Sequence, residues 1–220
     1  DVQAAPIAGS DVRRGTSVPG HVRQNPGGVG RNIAEGMRRM SPPGAPPPLL
    51  ISAVGDDMAG GALTKAWSDL GASLTAVRVC PGAATPVVTA VLDGEGEVAA
   101  SVADTQLAEV GIDAAWVSRF TDDISADAVV VLDGNCTPDV LAATLAAAAT
   151  TTTTASGRGE RPPPPPPLAW FEPVSVAKST RAVTAGILPL LDFISPNAGE
   201  LRAMANEVRS RRGQGGRQGG

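Results

Sequence analysis

Short apolar segments and amphipathic segments alternate along most of this chain. Residues 29–40 have the apolar spacing of a helix, residues 49–54 form an apolar run typical of a buried strand, and residues 58–70 predict a second helix that Gly71 ends. The alternation continues with extended segments at residues 74–79, 128–132, 168–171 and 192–194, and with helices at residues 138–149 and from Asn197 onward. Alternating strands and helices pack as helices over a sheet, so the sequence predicts an α/β fold with crossover helices.

One segment departs from this alternation. Residues 86–92 and 97–102 are strand-like and lie on either side of the turn-forming segment 93–96, Asp-Gly-Glu-Gly. This pattern predicts a β-hairpin. From the residues alone, an ordinary hairpin at the edge of a sheet is the simplest interpretation.

Three segments of biased composition interrupt the pattern. They are residues 42–48, residues 142–167 with an Ala/Thr run and six prolines at 162–167, and the Arg- and Gly-rich residues 209–220. Because insertions between elements cost little loop-closure entropy, we predict a domain over residues 1–208 with insertions near 42–48 and 142–167, followed by a disordered tail. The prolines form a passive linker or, alternatively, bind an aromatic-lined groove of a partner.

The composition excludes several classes of protein. Aromatic residues make up 3% of the chain and Tyr is absent, so a nucleic-acid surface built on stacked aromatic rings is not expected. The net charge of −4 becomes about −8 (−4 minus 4) without the four arginines of residues 209–217, which also argues against nucleic acid as a partner of the domain. Cys80 and Cys136 are far apart in sequence and predict reduced thiols rather than a disulfide or a metal cluster.

The chain also lacks the sequence signals of membrane proteins. No apolar run approaches the roughly 20 residues that a membrane-spanning helix needs, and the first residues have no signal-peptide pattern. We therefore expect no membrane contact and an intracellular, cytoplasmic protein, or an organellar one if a targeting segment precedes Asp1.

The segment 25–32, Asn-Pro-Gly-Gly-Val-Gly-Arg-Asn, places three glycines and an asparagine at the start of the first predicted helix. Glycines let a backbone approach a ligand closely, and the asparagine amide both donates and accepts hydrogen bonds. A dinucleotide-binding fingerprint follows a strand directly, whereas residues 19–26 read as a turn and the spacing of the glycines does not fit. The chain also has no phosphate-binding loop of the G-x-x-x-x-G-K-[ST] type. The segment therefore predicts either a site for a polyhydroxy ligand such as a sugar or a simple glycine-rich turn into a helix.

Further polar residues follow predicted strands, where α/β folds bind ligands. Asp56, Asp57 and Gly60 follow one strand and either face a ligand or cap the next helix. Segment 133–135, Asp-Gly-Asn, follows another strand, with a plain turn as the alternative. Glu172 and Lys178 come after a third.

Asn197 and Glu200 are three residues apart at the start of the last predicted helix. This spacing puts both side chains on one face, where they could hold a Mg²⁺-bound water or the phosphate end of ATP. The same spacing is close to a capping box, in which the two side chains bond only to the helix backbone. Both roles are compatible.

Four segments in this order resemble the ribokinase-like, or PfkB, carbohydrate kinases. They are residues 27–32 (Gly-Gly-Val-Gly-Arg-Asn), 50–57 with Gly60, 85–89 (Thr-Pro-Val-Val-Thr) and 195–201 (Ser-Pro-Asn-Ala-Gly-Glu-Leu). Residues 19–23 and 171–179 look most like the pseudouridine kinase branch of that family. The resemblance implies an α/β fold with a ribokinase-like sheet flanked by helices, and a small β lid formed by strands such as the predicted hairpin.

The resemblance also implies roles for individual residues. Asp1, Gly27, Gly28 and Asn32 would bind hydroxyls of a nucleoside or sugar substrate. Glu172, Lys178, Asn197 and Glu200 would bind ATP, and Asn197 and Glu200 would also hold Mg²⁺. The catalytic Asp of the family's Gly-Ala-Gly-Asp motif has no counterpart here, so no catalytic residue is assigned. We expect a partial kinase domain that lacks the end of the fold and the strand before Asp1.

Three functions remain open at this point. The first is an ATP- and Mg²⁺-dependent carbohydrate or nucleoside kinase that phosphorylates a ribosyl hydroxyl. The resemblance favours pseudouridine as its acceptor and implies a homodimer formed through the β lid. The second is an inactive kinase fragment that only binds ligand. The third is an RNA-associated protein acting through the Arg/Gly tail.

Overall fold

A computed structural model describes residues 1–150 and 165–215 of the chain. The chain divides into two compact units, Asp1–Gly111 and Ile112–Gly220. Both units combine strands and helices, which confirms the predicted α/β class.

The first unit contains two sheets and three helices. Its elements in chain order are β1 (Val2–Pro6), β2 (Gly20–Gln24), α1 (Val29–Met40), β3 (Ser52–Gly55), α2 (Met58–Asp69), β4 (Val77–Cys80), β5 (Val87–Leu92), β6 (Val98–Asp104) and α3 (Gln106–Val110). The bounds of α1 are those predicted from its apolar spacing.

Four of these strands form what we call the lid sheet, in the order β2-β1-β5-β6. Strands β5 and β6 pair antiparallel around the predicted turn, where the Asp93 amide donates to the Glu97 carbonyl at 2.8 Å. The hairpin is therefore confirmed, but it does not stand alone, because β5 also pairs in parallel with β1. This arrangement agrees with the small β lid that the resemblance implies.

Strands β1 and β2 were not among the elements predicted from the sequence. Residues 19–26 read as a turn, yet Gly20–Gln24 forms a strand that pairs antiparallel with β1. A Cβ at Gly20 would lie 2.4 Å from the Ala5 carbonyl oxygen, so this close pairing requires glycine. Val2–Pro6, for which the sequence pattern predicted no element, is a strand between two neighbours.

The smaller sheet of this unit pairs β3 and β4 in parallel. Trp67 of α2 is 1% exposed and packs with Ala34 of α1 and with Ala72. Its indole nitrogen donates to the Ser73 carbonyl at 3.1 Å, so the buried ring has its polar atom satisfied. This cluster fixes α1, and with it the glycine segment, against α2.

The second unit has one three-stranded parallel sheet in the order β7-β8-β9. Its elements in chain order are α4 (Ala114–Ser118), α5 (Thr121–Ala126), β7 (Val129–Asp133), α6 (Pro138–Ala148), β8 (Leu168–Glu172), α7 (Val176–Ser179), α8 (Arg181–Thr184), a 3₁₀ turn (Leu188–Leu190), β9 (Phe193–Ile194) and α9 (Ala198–Gly215). The core forms where α6, α8 and α9 cover the sheet. It contains Leu132, Leu141, Leu145, Ala169, Phe171, Ala182, Val183, Ile187 and Met204.

Two segments of biased composition differ from the prediction. Residues 142–148 belong to α6, which confirms the helix predicted over residues 138–149. Leu145 and Ala147 are buried, so this part of the Ala/Thr run is core rather than the insertion that its composition suggested. Pro138 at the helix start and the side-chain cap of Thr137 explain why the helix begins there. The predicted tail is helical up to Gly215, and residues 151–164, with three of the six prolines, and 216–220 lie outside the described residues.

Candidate functional site

Asp1 lies beside the start of α1. Its backbone amino group donates to the Asn25 carbonyl at 2.8 Å and its carbonyl accepts from the Asn25 amide at 2.9 Å. These two bonds extend the β1–β2 pairing by one residue and hold Asp1 next to the glycine segment. A Cβ at Gly27 would lie 2.5 Å from Asp1 Oδ1, so only glycine leaves room for the carboxylate at this distance.

Gly28 is the N-cap residue of α1 and has φ 95° and ψ 121°, a conformation that side chains other than hydrogen disfavour. The backbone amide of Asn32 donates to the Gly28 carbonyl at 2.8 Å, which starts the helical hydrogen bonding. Asn32 thus lies one turn into the helix, on the same end as Gly27 and Asp1. The structure brings together all four residues assigned to the substrate by resemblance.

Arg31 was not singled out from the sequence, yet it contacts most of this segment. Its Nε donates to the Gly27 carbonyl at 2.7 Å, and its Nη2 donates to the Pro26 carbonyl at 2.9 Å and to Asn32 Oδ1. Its Nη1 forms an ion pair with Glu35. Hydrogen bonds from Arg31 and then from Arg39 lower the pKa of the Glu35 carboxyl below its usual value.

The paired carboxylates after β3 serve the protein backbone. Asp57 Oδ1 accepts from the Gly60 amide at 2.8 Å and from the Thr85 hydroxyl at 2.6 Å, and its Oδ2 accepts from the Thr85 amide at 2.8 Å. The Thr85 hydroxyl in turn accepts from the Gly55 amide at 2.9 Å. The hydrogen bonds from Thr85 lower the pKa of Asp57 to about 2. The capping alternative therefore describes Asp57, whereas Asp56 accepts from the amide of Gly82, which follows β4, at 2.9 Å.

In the second unit, three polar segments meet at the carboxyl ends of the parallel strands. They follow β7, β8 and β9 and begin at Asp133, Glu172 and Ser195. The Gly134 amide donates to the Glu172 carbonyl at 2.7 Å, and a Cβ at Gly134 would lie 2.4 Å from the Pro173 carbonyl oxygen. Glycine at this position therefore allows the first two loops to touch.

Glu172 connects the second and third loops. Its Oε1 accepts from the Val174 amide at 3.2 Å and its Oε2 accepts from the Ser195 hydroxyl at 2.6 Å. Ser195 Oγ also accepts from the Trp170 indole at 2.8 Å. Glu172 therefore fixes the loop geometry at this edge through both of its oxygens.

Val174 has a φ of 69°, which is unusual for a β-branched residue. The amide of Ser175 donates to the Pro173 carbonyl at 2.8 Å, so Val174 is the central residue of a tight three-residue turn. Strained backbone of this kind tends to occur where a binding site requires it. The turn directly precedes α7, which carries Lys178.

Two cations hold the loop after β7. Lys178 Nζ donates to Asn135 Oδ1 at 2.7 Å. Arg181 Nη1 donates to the carbonyls of Gly134 at 3.0 Å and Asn135 at 2.8 Å. The Lys178 ammonium thus lies at the carboxyl edge of the sheet, where the resemblance assigns it to ATP.

Asn197 and Glu200 form a reciprocal capping box. Asn197 Oδ1 accepts from the amides of Gly199 at 2.9 Å and Glu200 at 3.0 Å, while Glu200 Oε2 accepts from the Asn197 amide at 2.8 Å. A carboxylate has a second oxygen with its own lone pairs, and oxygen ligands suit Mg²⁺, which usually keeps several waters. The oxygen chemistry of the pair suits a Mg²⁺ held through water, while Glu200 is only 5% exposed and both side chains make capping bonds.

Three further features bear on what the described part of the chain can do. Burial raises the pKa of the Cys136 thiol to about 12, so this thiol does not form a nucleophilic thiolate near neutral pH. Within residues 1–150 and 165–215, no group of three or more His, Cys, Asp or Glu side chains is placed to hold a metal ion. Over the same residues, no helix is both long and apolar enough to cross a bilayer.

The eight residues predicted for the site thus form two groups. Asp1, Gly27, Gly28 and Asn32 belong to the first unit, and Glu172, Lys178, Asn197 and Glu200 belong to the second. Sequence reasoning missed the residues that hold these groups in place. For Arg31 the Glu four residues later indicates an ion pair but not the bonds to the glycine segment. Ser195 opens the matched segment 195–201 but was given no role, and nothing in the sequence marks Arg181.

Comparison with known proteins supports the same assignment of family. The model of the pfkB family of carbohydrate kinases matches residues 7–211. A pseudouridine kinase of Arabidopsis thaliana is 34% identical over 194 residues, which is 88% of this chain and 45% of that protein. A pseudouridine kinase of Escherichia coli is 28% identical over 142 residues, covering 64% of this chain and 44% of that protein. The chain therefore spans less than half the length of these two relatives.

Solved structures give the fold independently. A sugar kinase from Clostridium perfringens has a TM-score of 0.65 at 22% identity, covering 93% of this chain and 58% of that one. The ribokinase of Arabidopsis thaliana, solved with ribose and ATP, has a TM-score of 0.61 at 15% identity, covering 92% and 58%. Both show that the fold is ribokinase-like. With the family model covering most of its length, this chain belongs to the pfkB family of carbohydrate kinases.

Proposed function

We propose that this chain is part of an ATP-dependent kinase, and that this kinase phosphorylates a ribosyl hydroxyl of pseudouridine. The proposal rests on the position of the Asp1 carboxylate, which packs against the Cα of Gly27 where a side chain would otherwise lie. Gly27 is about one helical turn before Asn32. The choice of pseudouridine is supported by the names of two relatives, both pseudouridine kinases.

The substrate group has the chemistry that a sugar requires. The Asp1 carboxylate accepts hydrogen bonds from hydroxyls, and the Asn32 amide nitrogen donates to a hydroxyl oxygen. Two neighbouring hydroxyls of a ribose need this combination of acceptor and donor. Because Gly27 and Gly28 have no side chains, the sugar can approach the backbone between them.

The second group has the chemistry that a nucleoside triphosphate requires. Lys178 offers a positive charge, and the Asn197–Glu200 pair offers oxygen atoms for a hydrated cation. Mg²⁺, when bound, neutralises charge on the phosphates of ATP. The chain's own part is to hold Lys178 and Glu200 rigidly through Asn135 and the capping box. We assign no residue of this chain as the base that accepts the hydroxyl proton.

Substitution of Asn32 tests this proposal. In Asn32→Ala we expect the pseudouridine KM of ADP release to rise by about tenfold or more, because one hydrogen bond to the substrate is lost. Asn206→Ala, at an exposed helical position, is the matched control and should behave as the parent chain. ADP release that does not depend on pseudouridine would remove the proposal.

A second candidate is a fragment that binds ligand without turnover. The observation behind it is that residues 1–220 contain no Gly-Ala-Gly-Asp motif, which carries the catalytic Asp in the family that the chain resembles. Thermal stabilisation by pseudouridine in the absence of any ADP release would support it. Measurable turnover would reject it.

A further inference from the structure

The guanidinium of Arg31 lies in the middle of the glycine segment. Its side chain is 10% exposed, although it belongs to the first turn of a surface helix. It donates to Pro26 and Gly27 carbonyls on one side, to the Asn32 amide oxygen on another, and pairs with Glu35 one turn later. An arginine whose donors are used in this way is part of a built site rather than a solvated charge.

These contacts fix the Asn32 side chain and the Gly27 peptide, the two parts of the segment that the proposed function assigns to the substrate. The amide of Asn32 has one oxygen and one nitrogen, and its oxygen accepts from Arg31. The nitrogen is therefore the atom that remains to donate to a hydroxyl. The bond to the Gly27 carbonyl fixes the peptide whose Cα lies against the Asp1 carboxylate.

We propose that Arg31 is the positioning residue of the substrate group, which turns the Asn32 amide nitrogen toward the sugar and holds the Gly27 peptide beside Asp1. This inference rests on the proposed function, because it names the residue on which selection of a hydroxyl-rich substrate depends. Arg31 acts through Asn32 and Gly27 and makes no contact with the reacting atoms itself.

Arg39 provides a matched comparison. It also bonds to Glu35, with its Nε 2.7 Å from Oε1, and lies on the same helix. Its side chain is 64% exposed, and it bonds to Glu35 rather than to the glycine segment. Loss of Arg39 therefore removes a partner of Glu35 without removing the contacts that define the proposal.

The test compares the parent chain with Arg31→Ala, Arg31→Lys and Arg39→Ala. Pseudouridine affinity is measured by calorimetry, and ADP release gives KM for pseudouridine and for MgATP. In the ligand-free chain, the Asn32 side-chain amide is observed by ¹⁵N–¹H NMR and assigned with Asn32→Ala. Thermal melting confirms that each variant folds. Lysine keeps the charge and a pair with Glu35 but cannot make the forked contacts, so it separates positioning from folding.

We expect both Arg31 variants to weaken pseudouridine binding by about tenfold, the effect of losing one well-placed hydrogen bond, while KM for MgATP stays within about twofold. Both should also shift the Asn32 amide signals, and Arg39→Ala should do neither. Unchanged Asn32 signals and unchanged affinity in both Arg31 variants would overturn the inference.

The two proposals can fail separately. If the parent chain does not bind pseudouridine, the proposed function fails, and the NMR comparison still decides the role of Arg31. Asn32 signals that shift in Arg31→Lys but not in Arg39→Ala would then sustain positioning. Asn32 signals that are the same in Arg31→Lys as in Arg39→Ala would reject positioning by Arg31.

Discussion

At the scale of single residues, the site depends on side chains whose neighbours in space are distant in sequence. Gly27 and Asn32 were predicted because glycines before a helix are visible in a sequence. Arg31 was not, because an Arg with Glu four residues later is also the pattern of a solvent-exposed ion pair. Only the fold shows that its guanidinium turns back to the Pro26 and Gly27 carbonyls.

Thr85 gives a prediction at this scale. Thr85 is 3% exposed, and its hydroxyl accepts from the buried Gly55 amide and donates to Asp57. Thr85→Val leaves the Gly55 amide without this acceptor, and we expect the free energy of unfolding at pH 7 to fall by about 1–3 kcal/mol. Thr89→Val, at an exposed strand position, is the control and should change it little.

The same contact predicts a pH dependence. The pKa of Asp57 is lowered from 3.8 to about 2 in the folded chain, so its ionised form contributes stability above pH 4. That contribution is lost as the pH falls from about 4 to 2. In Thr85→Val the folded pKa rises, and the loss of stability over this window should be smaller than in the parent chain. Denaturation curves at several pH values measure it, and equal losses would contradict the assignment.

At the scale of elements, long periodic segments were predictable and short ones were not. The 12 residues of α1 present three turns of apolar spacing, and the helix has the predicted bounds. Helices α7 and α8 have four residues each, too few to show a period. Strand β2 is exposed at every position, so no apolar alternation marked it.

The tight turn before α7 gives a prediction at this scale. Val174→Gly removes a side chain from a backbone with positive φ, which relieves strain of about 1–3 kcal/mol. Glycine also makes the unfolded chain more flexible, which costs about 0.5–1 kcal/mol on folding. The balance of the two effects is about 0–2.5 kcal/mol, so we expect the free energy of unfolding to stay equal or to rise. Val176→Gly, at the exposed first residue of α7, should lower it by up to about 1 kcal/mol. If Val174→Gly lowered the free energy of unfolding more than Val176→Gly, strain in the turn would be contradicted.

At the scale of the whole molecule, composition was the least reliable guide. The Ala/Thr run looked like an insertion, yet its first part lies in α6, where Leu145 packs in the core of the second unit. Small apolar residues are as suited to a packed helix as to a linker, and composition does not distinguish the two. Ordered matches to one family were more informative, because four motifs in sequence constrain the fold as a whole.

The account's central claim is that the two groups of polar residues serve transfer of a phosphoryl group from ATP to pseudouridine. The direct measurement is ³¹P NMR of the chain incubated with MgATP and pseudouridine. The account predicts a new phosphomonoester signal that grows in equal amount with ADP and requires pseudouridine. Saturating binding of pseudouridine and MgATP without any phosphomonoester would contradict it.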